Sequence, residues 1–258
     1  MGFTCAGRTD VGVVRSGNED NYLMLPDRGL FIVADGMGGH AAGEVASEMA
    51  VRIIARELGE LRGKSDADVA DRMRAAIQRA NGAIFERTLT EQDKRGMGTT
   101  ATALVLNGPR YLIGQVGDSR AYLLRDGQLL QLTKDHSYVQ EQVDAGYLTP
   151  AQARTHPYSN VITRCVGANN DVSPDIYVGA LRAGDSYLLA SDGLTGMLED
   201  HDLEEALKKG KEPQGIVDGL VGEANRRGGL DNITAIIVRI DSVDVPRDNR
   251  TTAAVSVR

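Results

Sequence analysis

Four apolar runs of this sequence lead into, or directly follow, a short segment in which an aspartate lies beside or near a glycine. Such runs are typical of buried β-strands, and a strand end is a rigid place from which to present a side chain. Aspartate and glycine are also ordinary turn residues. Asp126-Gly127, between YLLR and QLLQL, is such a case and predicts a hairpin. The four other aspartates are Asp35 after LFIVA, Asp118 after YLIGQVG, Asp192 after YLLAS, and Asp231 just before ITAIIVRI.

The Asp35-Gly36 segment differs from a hairpin turn, because a helix is predicted after it where a hairpin would have a returning strand. Four glycines lie within the eight residues 36–43, and His40 lies among them. If the strand-end aspartates converge, raised pKa values or bound cations must offset their mutual repulsion. Mg²⁺ and Mn²⁺ prefer carboxylate, carbonyl and water oxygens, and a glycine offers its carbonyl without steric conflict. The sequence therefore predicts a site for a hard metal ion.

The succession of predicted elements favours an α+β fold with layered antiparallel sheets. Short turns join adjacent strands, and the helices come in groups, whereas a doubly wound fold would place one after each strand. Strands are predicted at 3–14, within 22–34 at YLML and LFIVAD, and at TTATALVL, RYLIGQV, AYLLR, QLLQL, DIYVGAL, SYLLAS and ITAIIVRI. Helices are predicted at 43–61, 66–92, 201–208 and 213–226, and the polar segment 136–158 is expected to form short helices or a mobile surface. The predicted domain spans 1–241, followed by a polar tail at 242–258.

Composition and charge argue against several classes of function. The 258 residues carry a formal net charge of −7, which argues against binding nucleic acid through bulk charge. Aromatic residues make up 4% of the chain and tryptophan is absent, so no base-stacking surface is expected. No apolar run approaches the ~18 residues of a membrane helix, and the N-terminus lacks a signal-peptide pattern. Cys5 and Cys165 form no CxxC motif. The prediction is a cytoplasmic protein, with a monomer as the default.

Two glycine-rich segments superficially fit nucleotide-binding motifs. Residues 36–41 satisfy GxGxxA between a strand and a helix. However, a second helix follows where a dinucleotide fold needs a strand, and Asp35 would bring a carboxylate close to the pyrophosphate. Residues 59–65 are one residue short of a P-loop and follow a helix, where a P-loop follows a strand. Neither segment predicts a nucleotide site.

Six short motifs follow one another along the chain: Arg15-Ser-Gly-Asn18-Glu19-Asp20, Ala34-Asp35-Gly36-Met37-Gly38-Gly39-His40, Gly96-Met97-Gly98-Thr99-Thr100, Val116-Gly117-Asp118-Ser119-Arg120, Ser191-Asp192-Gly193 and Gly229-Leu230-Asp231-Asn232. In this order they resemble the signatures of the metal-dependent protein phosphatases, the protein phosphatase 2C family. The resemblance extends over about residues 8–240 and is strongest to bacterial single-domain members that oppose Ser/Thr protein kinases. No Cys-x5-Arg arrangement is present, so a phosphocysteine mechanism is not expected.

The resemblance implies two stacked antiparallel β-sheets flanked by helix pairs, an αββα sandwich. It also implies a centre of two Mn²⁺ or Mg²⁺ ions with a weaker third. Asp35 would bridge two ions, and Gly36 would give its carbonyl oxygen to one of them. Asp192 and Asp231 would complete the other. Asp20 matches an acidic position that supports the water ligands.

The same resemblance implies roles for residues around the two main ions. Asp118, together with Asp192, matches the third metal position, which a backbone carbonyl near Asn160 would join. Arg15 would hold the substrate phosphate. His40 matches the general acid that protonates the departing serine or threonine oxygen. The other histidines match no motif and are predicted to be structural: His136, His156 and His201.

The resemblance predicts a phosphoprotein phosphatase that hydrolyses phosphoserine and phosphothreonine with a metal-activated water. Its expected partners are phosphorylated proteins, namely the substrates of a Ser/Thr protein kinase and the kinase itself. Two alternatives stay open: a catalytically silent binding protein with the same fold, and a dedicated regulator with one cognate phosphoprotein. The complete set of matched carboxylates argues against the first, and Arg15 with its motif and His40 argue against the second.

Overall fold

A computed structural model describes residues 1–38, 41–61, 63–210 and 212–243. Within these ranges the strands are β1 Gly2–Asp10, β2 Asp20–Leu25, β3 Leu30–Met37, β4 Gly98–Thr99, β5 Ala101–Asn107, β6 Arg110–Val116, β7 Arg120–Arg125, β8 Gln128–Gln131, β9 Asp175–Ala180, β10 Ser186–Ala190 and β11 Ile233–Ser242. The helices are α1 Ala41–Leu58, α2 Asp66–Thr90, α3 Tyr138–Asp144, α4 Pro150–Arg154, α5 Asp192–Thr195, α6 Asp200–Lys208 and α7 Pro213–Arg226.

The strands form two antiparallel sheets. One sheet has the order β1-β11-β10-β7-β8, and the other has the order β2-β3-β5-β6-β9, with β4 paired to β3. Sequence neighbours such as β2 and β3, or β5 and β6, are also spatial neighbours, because short turns favour antiparallel pairing. The closing strand β11 pairs with β1, so the two ends of the described chain meet in one sheet.

Three apolar layers hold the sheets and helices together. Strand residues alternate between them: Ile32 packs under α1 and α2, whereas the next residue, Val33, packs between the two sheets. The inter-sheet layer draws on both sheets, with Phe31 and Leu104 from one and Tyr187 and Ile236 from the other. On the outer face of the second sheet, α5, α6 and α7 cover a third layer. The predicted αββα sandwich is therefore confirmed.

One predicted strand is too long, and a glycine explains the difference. The predicted strand 3–14 ends at Asp10, because Gly12 adopts a positive φ of 80° in a turn. The strands predicted at YLML and LFIVAD are β2 and β3, and Gly29 at φ 60° closes the short 3₁₀ turn between them. The polar segment 136–158 contains the short helices α3 and α4, as expected.

The predicted hairpin at Asp126-Gly127 is confirmed. Both residues have positive φ, 52° and 77°, which is the geometry of a type I′ turn that matches the twist of two strands. Every helix in the described ranges is too short or too polar to cross a bilayer. The domain limits stay a prediction, since β11 runs to Ser242 and residues 244–258 lie outside the described part of the chain.

Candidate metal centre and active site

Five aspartates lie at strand ends on one edge of the sandwich. Asp35, near the end of β3, is directly opposite Asp20 at the start of β2. Asp118 lies in the turn from β6 to β7, and Asp192 begins α5 immediately after β10. Asp231 lies two residues before β11, the strand next to β10. Carboxylates from both sheets thus lie close together, which is the arrangement that a metal site built from strand-end aspartates requires.

The carboxyl groups in this cluster influence one another strongly. Burial raises the pKa of Asp35 well above its ordinary value, and the charges of Asp20, Asp192 and Asp118 raise it further. Burial, and then the charge of Asp192, also raise the pKa of Asp118 well above its ordinary value. Burial raises the pKa of Asp192, whose carboxyl group is within hydrogen-bond reach of Asp35. Such crowding favours either protonation or a cation between the groups.

Asp20 connects the two sheets at this point. Its side chain is 5% exposed, and its Oδ2 accepts hydrogen bonds from Ser191 Oγ at 2.8 Å and Thr234 Oγ1 at 2.6 Å. Burial raises its pKa to about 7. The two hydroxyl donors lower this pKa, whereas the charges of Asp192 and Asp231 raise it. Asp20 therefore ties β2 of one sheet to β10 and β11 of the other.

Unpartnered oxygens in this cluster fit a hard cation. In the described ranges, four buried side-chain oxygens have no hydrogen-bond partner, and three belong to this cluster: the Oδ1 atoms of Asp20, Asp118 and Asp192. Buried carboxylate oxygens are normally hydrogen-bonded or bound to a cation. No three acidic, histidine or cysteine side chains in the described ranges can hold an ion by themselves. An ion at this cluster would therefore take further ligands from backbone carbonyl oxygens and water.

The backbone around Asp35 is held by two threonines. The Asp35 N–H donates to Thr100 Oγ1 at 2.9 Å, and Thr99 Oγ1 donates to the Asp35 carbonyl oxygen at 2.8 Å. Gly36 packs against the first turn of α1, and a Cβ there would lie 2.2 Å from the Gly43 carbonyl oxygen. Only glycine fits at position 36, because the backbone of α1 approaches it closely. These contacts hold the backbone from which the Asp35 carboxylate projects.

Arg15 lies at the edge of the cluster. Its guanidinium donates a hydrogen bond of 2.7 Å to Asp231 Oδ2, and its side chain remains half-exposed. The two loops that carry these residues are joined, because the Val13 N–H donates to the Gly229 carbonyl oxygen at 2.9 Å. An exposed planar cation next to buried carboxylates is suited to binding a phosphate group.

A cavity of about 730 Å³ opens beside the cluster. Its wall includes Asp118 and Asp192 on one side and Asn160, which follows α4, on the other. The structure therefore places Asn160 on the same cavity as two of the predicted metal ligands. The predicted general acid His40 lies outside the described residues.

Comparison with known proteins decides what kind of centre this is. A family model described as Protein phosphatase 2C matches residues 15–212. The chain belongs to the protein phosphatase 2C family. Its sequence is 40% identical to the serine/threonine phosphatase stp of Listeria monocytogenes over 245 residues, covering 93% of this chain and 97% of that relative. It is 41% identical to PstP of Mycobacterium tuberculosis and spans 45% of that protein's length.

Solved structures of this phosphatase family agree with the fold. The crystal structure of M. tuberculosis PstP/Ppp superposes with a TM-score of 0.87 at 40% identity, covering 93% of this chain and 99% of that one. A PstP catalytic domain in complex with two manganese ions has a TM-score of 0.83 at 39% identity, covering 93% and 99%. The predicted family, fold, enzyme class and metal dependence are therefore confirmed. The roles of individual residues stay predictions.

Some residues that support the phosphatase site have no motif that assigns them this role. His136, predicted to be structural, is buried, and its Nδ1 accepts the Gly117 N–H at 3.0 Å directly before Asp118. Thr100 lies within a family motif that assigns it no role. Its Oγ1, which accepts the Asp35 N–H, also lies 2.7 Å from Ser119 Oγ. The only sequence signal for these residues was proximity to a glycine or aspartate of a motif. Their function depends on contacts between distant segments.

Proposed function

We propose that this protein phosphatase 2C family member hydrolyses phosphoserine and phosphothreonine in proteins, with Mn²⁺ or Mg²⁺ held by the aspartate cluster. One observation carries the proposal: three buried carboxylate oxygens of Asp20, Asp118 and Asp192 lack partners where strands of both sheets end. An exposed arginine lies at the edge of the same cluster. The relatives named above as serine/threonine phosphatases support the same substrate class.

We assign the metal ligands by combining the family motifs with this geometry. Asp35 would bridge two ions, Gly36 would contribute its carbonyl oxygen, and Asp192 and Asp231 would complete the second position. Burial, and then the charges of Asp20 and Asp192, raise the pKa of Asp35, which supports a shared cation because a cation would relieve the repulsion between these charges. When bound, such ions lower the pKa of a water toward neutrality and neutralise charge on the phosphate oxygens.

Two further positions belong to the same assignment. Asp20, whose Oδ2 is occupied by two hydroxyl donors, has only Oδ1 free and would orient water ligands. Asp118, with Asp192 and the backbone carbonyl of Asn160, would form the weaker third position. The cavity that these three residues line supports that grouping.

Arg15 would bind the phosphate group, and His40 would donate the proton. The Arg15 guanidinium can bind two phosphate oxygens at once with its planar fork, which aligns phosphorus for in-line attack. One of its nitrogens is held by Asp231, so the side chain is already directed to the cluster. His40, five residues after Asp35 in the chain, would protonate the departing alkoxide, a poor leaving group without that proton.

The biological setting is also a proposal. We infer that the substrates are products of a Ser/Thr protein kinase and include the kinase itself. We further propose that the enzyme acts as a cytoplasmic monomer. Its relatives carry the names of Ser/Thr phosphatases, and this substrate class supports opposition to such a kinase.

The test is hydrolysis of a phosphothreonine peptide and of p-nitrophenyl phosphate, with Mn²⁺ and with excess chelator. We expect Mn²⁺-dependent turnover in the wild type and its loss in Asp35→Asn and Asp192→Asn. Asp66→Asn is the matched control, because Asp66 is paired with Arg110 at the start of α2. If wild-type protein with bound Mn²⁺ hydrolyses neither substrate, the proposal is wrong and a binding-only protein is favoured.

A further inference from the structure

Three large apolar side chains are exposed around the Arg15–Asp231 pair. Val13, Val14 and Leu230 are 65%, 62% and 58% exposed, and we call them the apolar lip. Single exposed apolar residues are common on protein surfaces, but a group beside a functional site marks a contact surface. The lip is continuous with the site, because Val14 directly precedes Arg15 and Leu230 directly precedes Asp231.

The lip is held in place by hydrogen bonds from the loop residues around it. The Asn232 amide donates to the carbonyl oxygens of Val11 and Gly17, both at 2.9 Å, and its Oδ1 accepts the Glu19 N–H at 2.7 Å. Gly12 has φ 80°, and a Cβ there would lie 2.4 Å from the Asp231 carbonyl oxygen. The loop before Arg15 is therefore packed tightly on the loop before Asp231, and the exposed valines are presented on a fixed backbone.

We propose that the apolar lip binds apolar side chains next to the phosphorylated residue of a protein substrate. This inference rests on the proposed function, since it places the phosphate at Arg15. Val13 and Val14 precede Arg15, and Leu230 precedes Asp231, so a peptide whose phosphate is bound by Arg15 would have these exposed side chains close to its neighbouring residues. Covering them removes apolar surface from water.

The experiment compares phosphothreonine peptides that differ only in the two residues on each side of the phosphothreonine. One peptide carries leucine and valine, one serine and glycine, and one glutamate. We expect kcat/KM for the apolar peptide to exceed that for the serine–glycine peptide by about three- to tenfold, the effect of one partly buried apolar side chain. The glutamate peptide also lacks apolar side chains and should not exceed the serine–glycine peptide.

The variants Val13→Ser and Leu230→Ser should remove this preference while leaving p-nitrophenyl phosphate hydrolysis unchanged, since that small substrate carries no neighbouring residues. Leu130→Ser is the matched control, because Leu130 is 59% exposed but lies on β8, outside both loops. Its peptide preference should equal that of the wild type. An analytical ultracentrifugation run on each variant tests whether the lip instead joins two copies of the chain.

Four results would overturn the inference. The first is that the wild type hydrolyses all three peptides equally, and the second is that the lip variants keep the wild-type preference. The third is that the lip variants lower the rate with p-nitrophenyl phosphate by the same factor as the rate with the apolar peptide. The fourth is that they change only the association state. Failure of the proposed function is distinguishable from these, because the wild type would then hydrolyse neither peptides nor p-nitrophenyl phosphate. In that case both proposals are wrong.

Discussion

Arg15 and Asp231 form an ion pair of 2.7 Å, although one is proposed to hold phosphate and the other a metal ion. The pair joins the loop after β1 to the loop before β11. Only one Arg15 nitrogen donates to Asp231 in this pair. The contact therefore orients the guanidinium and leaves its other N–H donors for a phosphate group. The ion pair therefore aims the phosphate-binding group before substrate arrives.

Removing the fork of Arg15 should weaken substrate binding. A hydrogen bond to a charged group contributes about 1.5–3 kcal/mol, so we expect Arg15→Ala to lower kcat/KM for a phosphopeptide about 10- to 100-fold, mainly through KM. Arg15→Lys keeps the charge but loses bidentate binding, so its kcat/KM should lie between those of the wild type and Arg15→Ala. Steady-state kinetics with a phosphothreonine peptide measure both. Arg8→Ala, which removes another exposed arginine paired with Asp10 and Asp218, is the control. Unchanged KM in Arg15→Ala would contradict the assignment.

A general acid at His40 predicts an effect that depends on the leaving group. A threonine alkoxide needs a proton to depart, whereas nitrophenolate leaves readily without one. We expect His40→Asn to slow phosphothreonine peptide hydrolysis by about 10²–10⁴-fold and to affect p-nitrophenyl phosphate far less. Comparison of kcat for the two substrates measures this difference, with His156→Asn as the control, because His156 is not among the residues that line the cavity beside the aspartates. Equal losses with both substrates would show that His40 acts in some other way.

The crowded carboxylates should make the metal-free protein less stable as pH rises. Burial raises the pKa of Asp20 from 3.8 to about 7, so the folded state holds a proton that the unfolded state has released. Stability from this group is complete below pH 3.8 and is lost as pH rises through about 7, at no more than about 1.4 kcal/mol per pH unit. Urea unfolding in chelator between pH 5 and 8 should show this decline, and Asp20→Asn should make it shallower.

Two further measurements make this pH prediction specific. Hydrogen bonding by Arg227 lowers the pKa of Asp202 to about 2, so Asp202→Asn should leave the slope between pH 5 and 8 unchanged. Added Mn²⁺ should reduce or reverse the decline, because metal ligands bind in their deprotonated form. A chelated wild type whose stability rises over this range would refute the interpretation of the cluster.

His136 should position Asp118 through the backbone. His136→Ala leaves the Gly117 N–H without its acceptor, which costs about 1–3 kcal/mol of unfolding free energy when the group is buried. We also expect weaker Mn²⁺ binding by calorimetry, because the turn that carries Asp118 loses a contact. His136→Asn, which keeps an acceptor near the Nδ1 position, should restore part of both. A variant that is less stable but binds Mn²⁺ like the wild type would limit His136 to a structural role, and His156→Ala is the control.

The strand-end aspartates and the glycines beside them could be predicted from the sequence, because both depend on local patterns. Apolar runs indicate buried strands, and positions such as Asp126-Gly127 require φ values that glycine and aspartate tolerate. Family motifs then added roles that no local pattern specifies. Their order along the chain identified the family, and the comparisons confirmed it.

Contacts between distant segments needed the tertiary structure. Asp20 bonds Ser191 and Thr234 across the two sheets, and His136 holds Gly117 from 19 residues away. No local residue pattern predicts such pairs, because each depends on which strands become neighbours and on the path of the loops between them. The sequence by itself determined which side chains could serve a metal phosphatase site. The packing of the sheets decided which carboxylate oxygens lack partners and which side chains hold them in place.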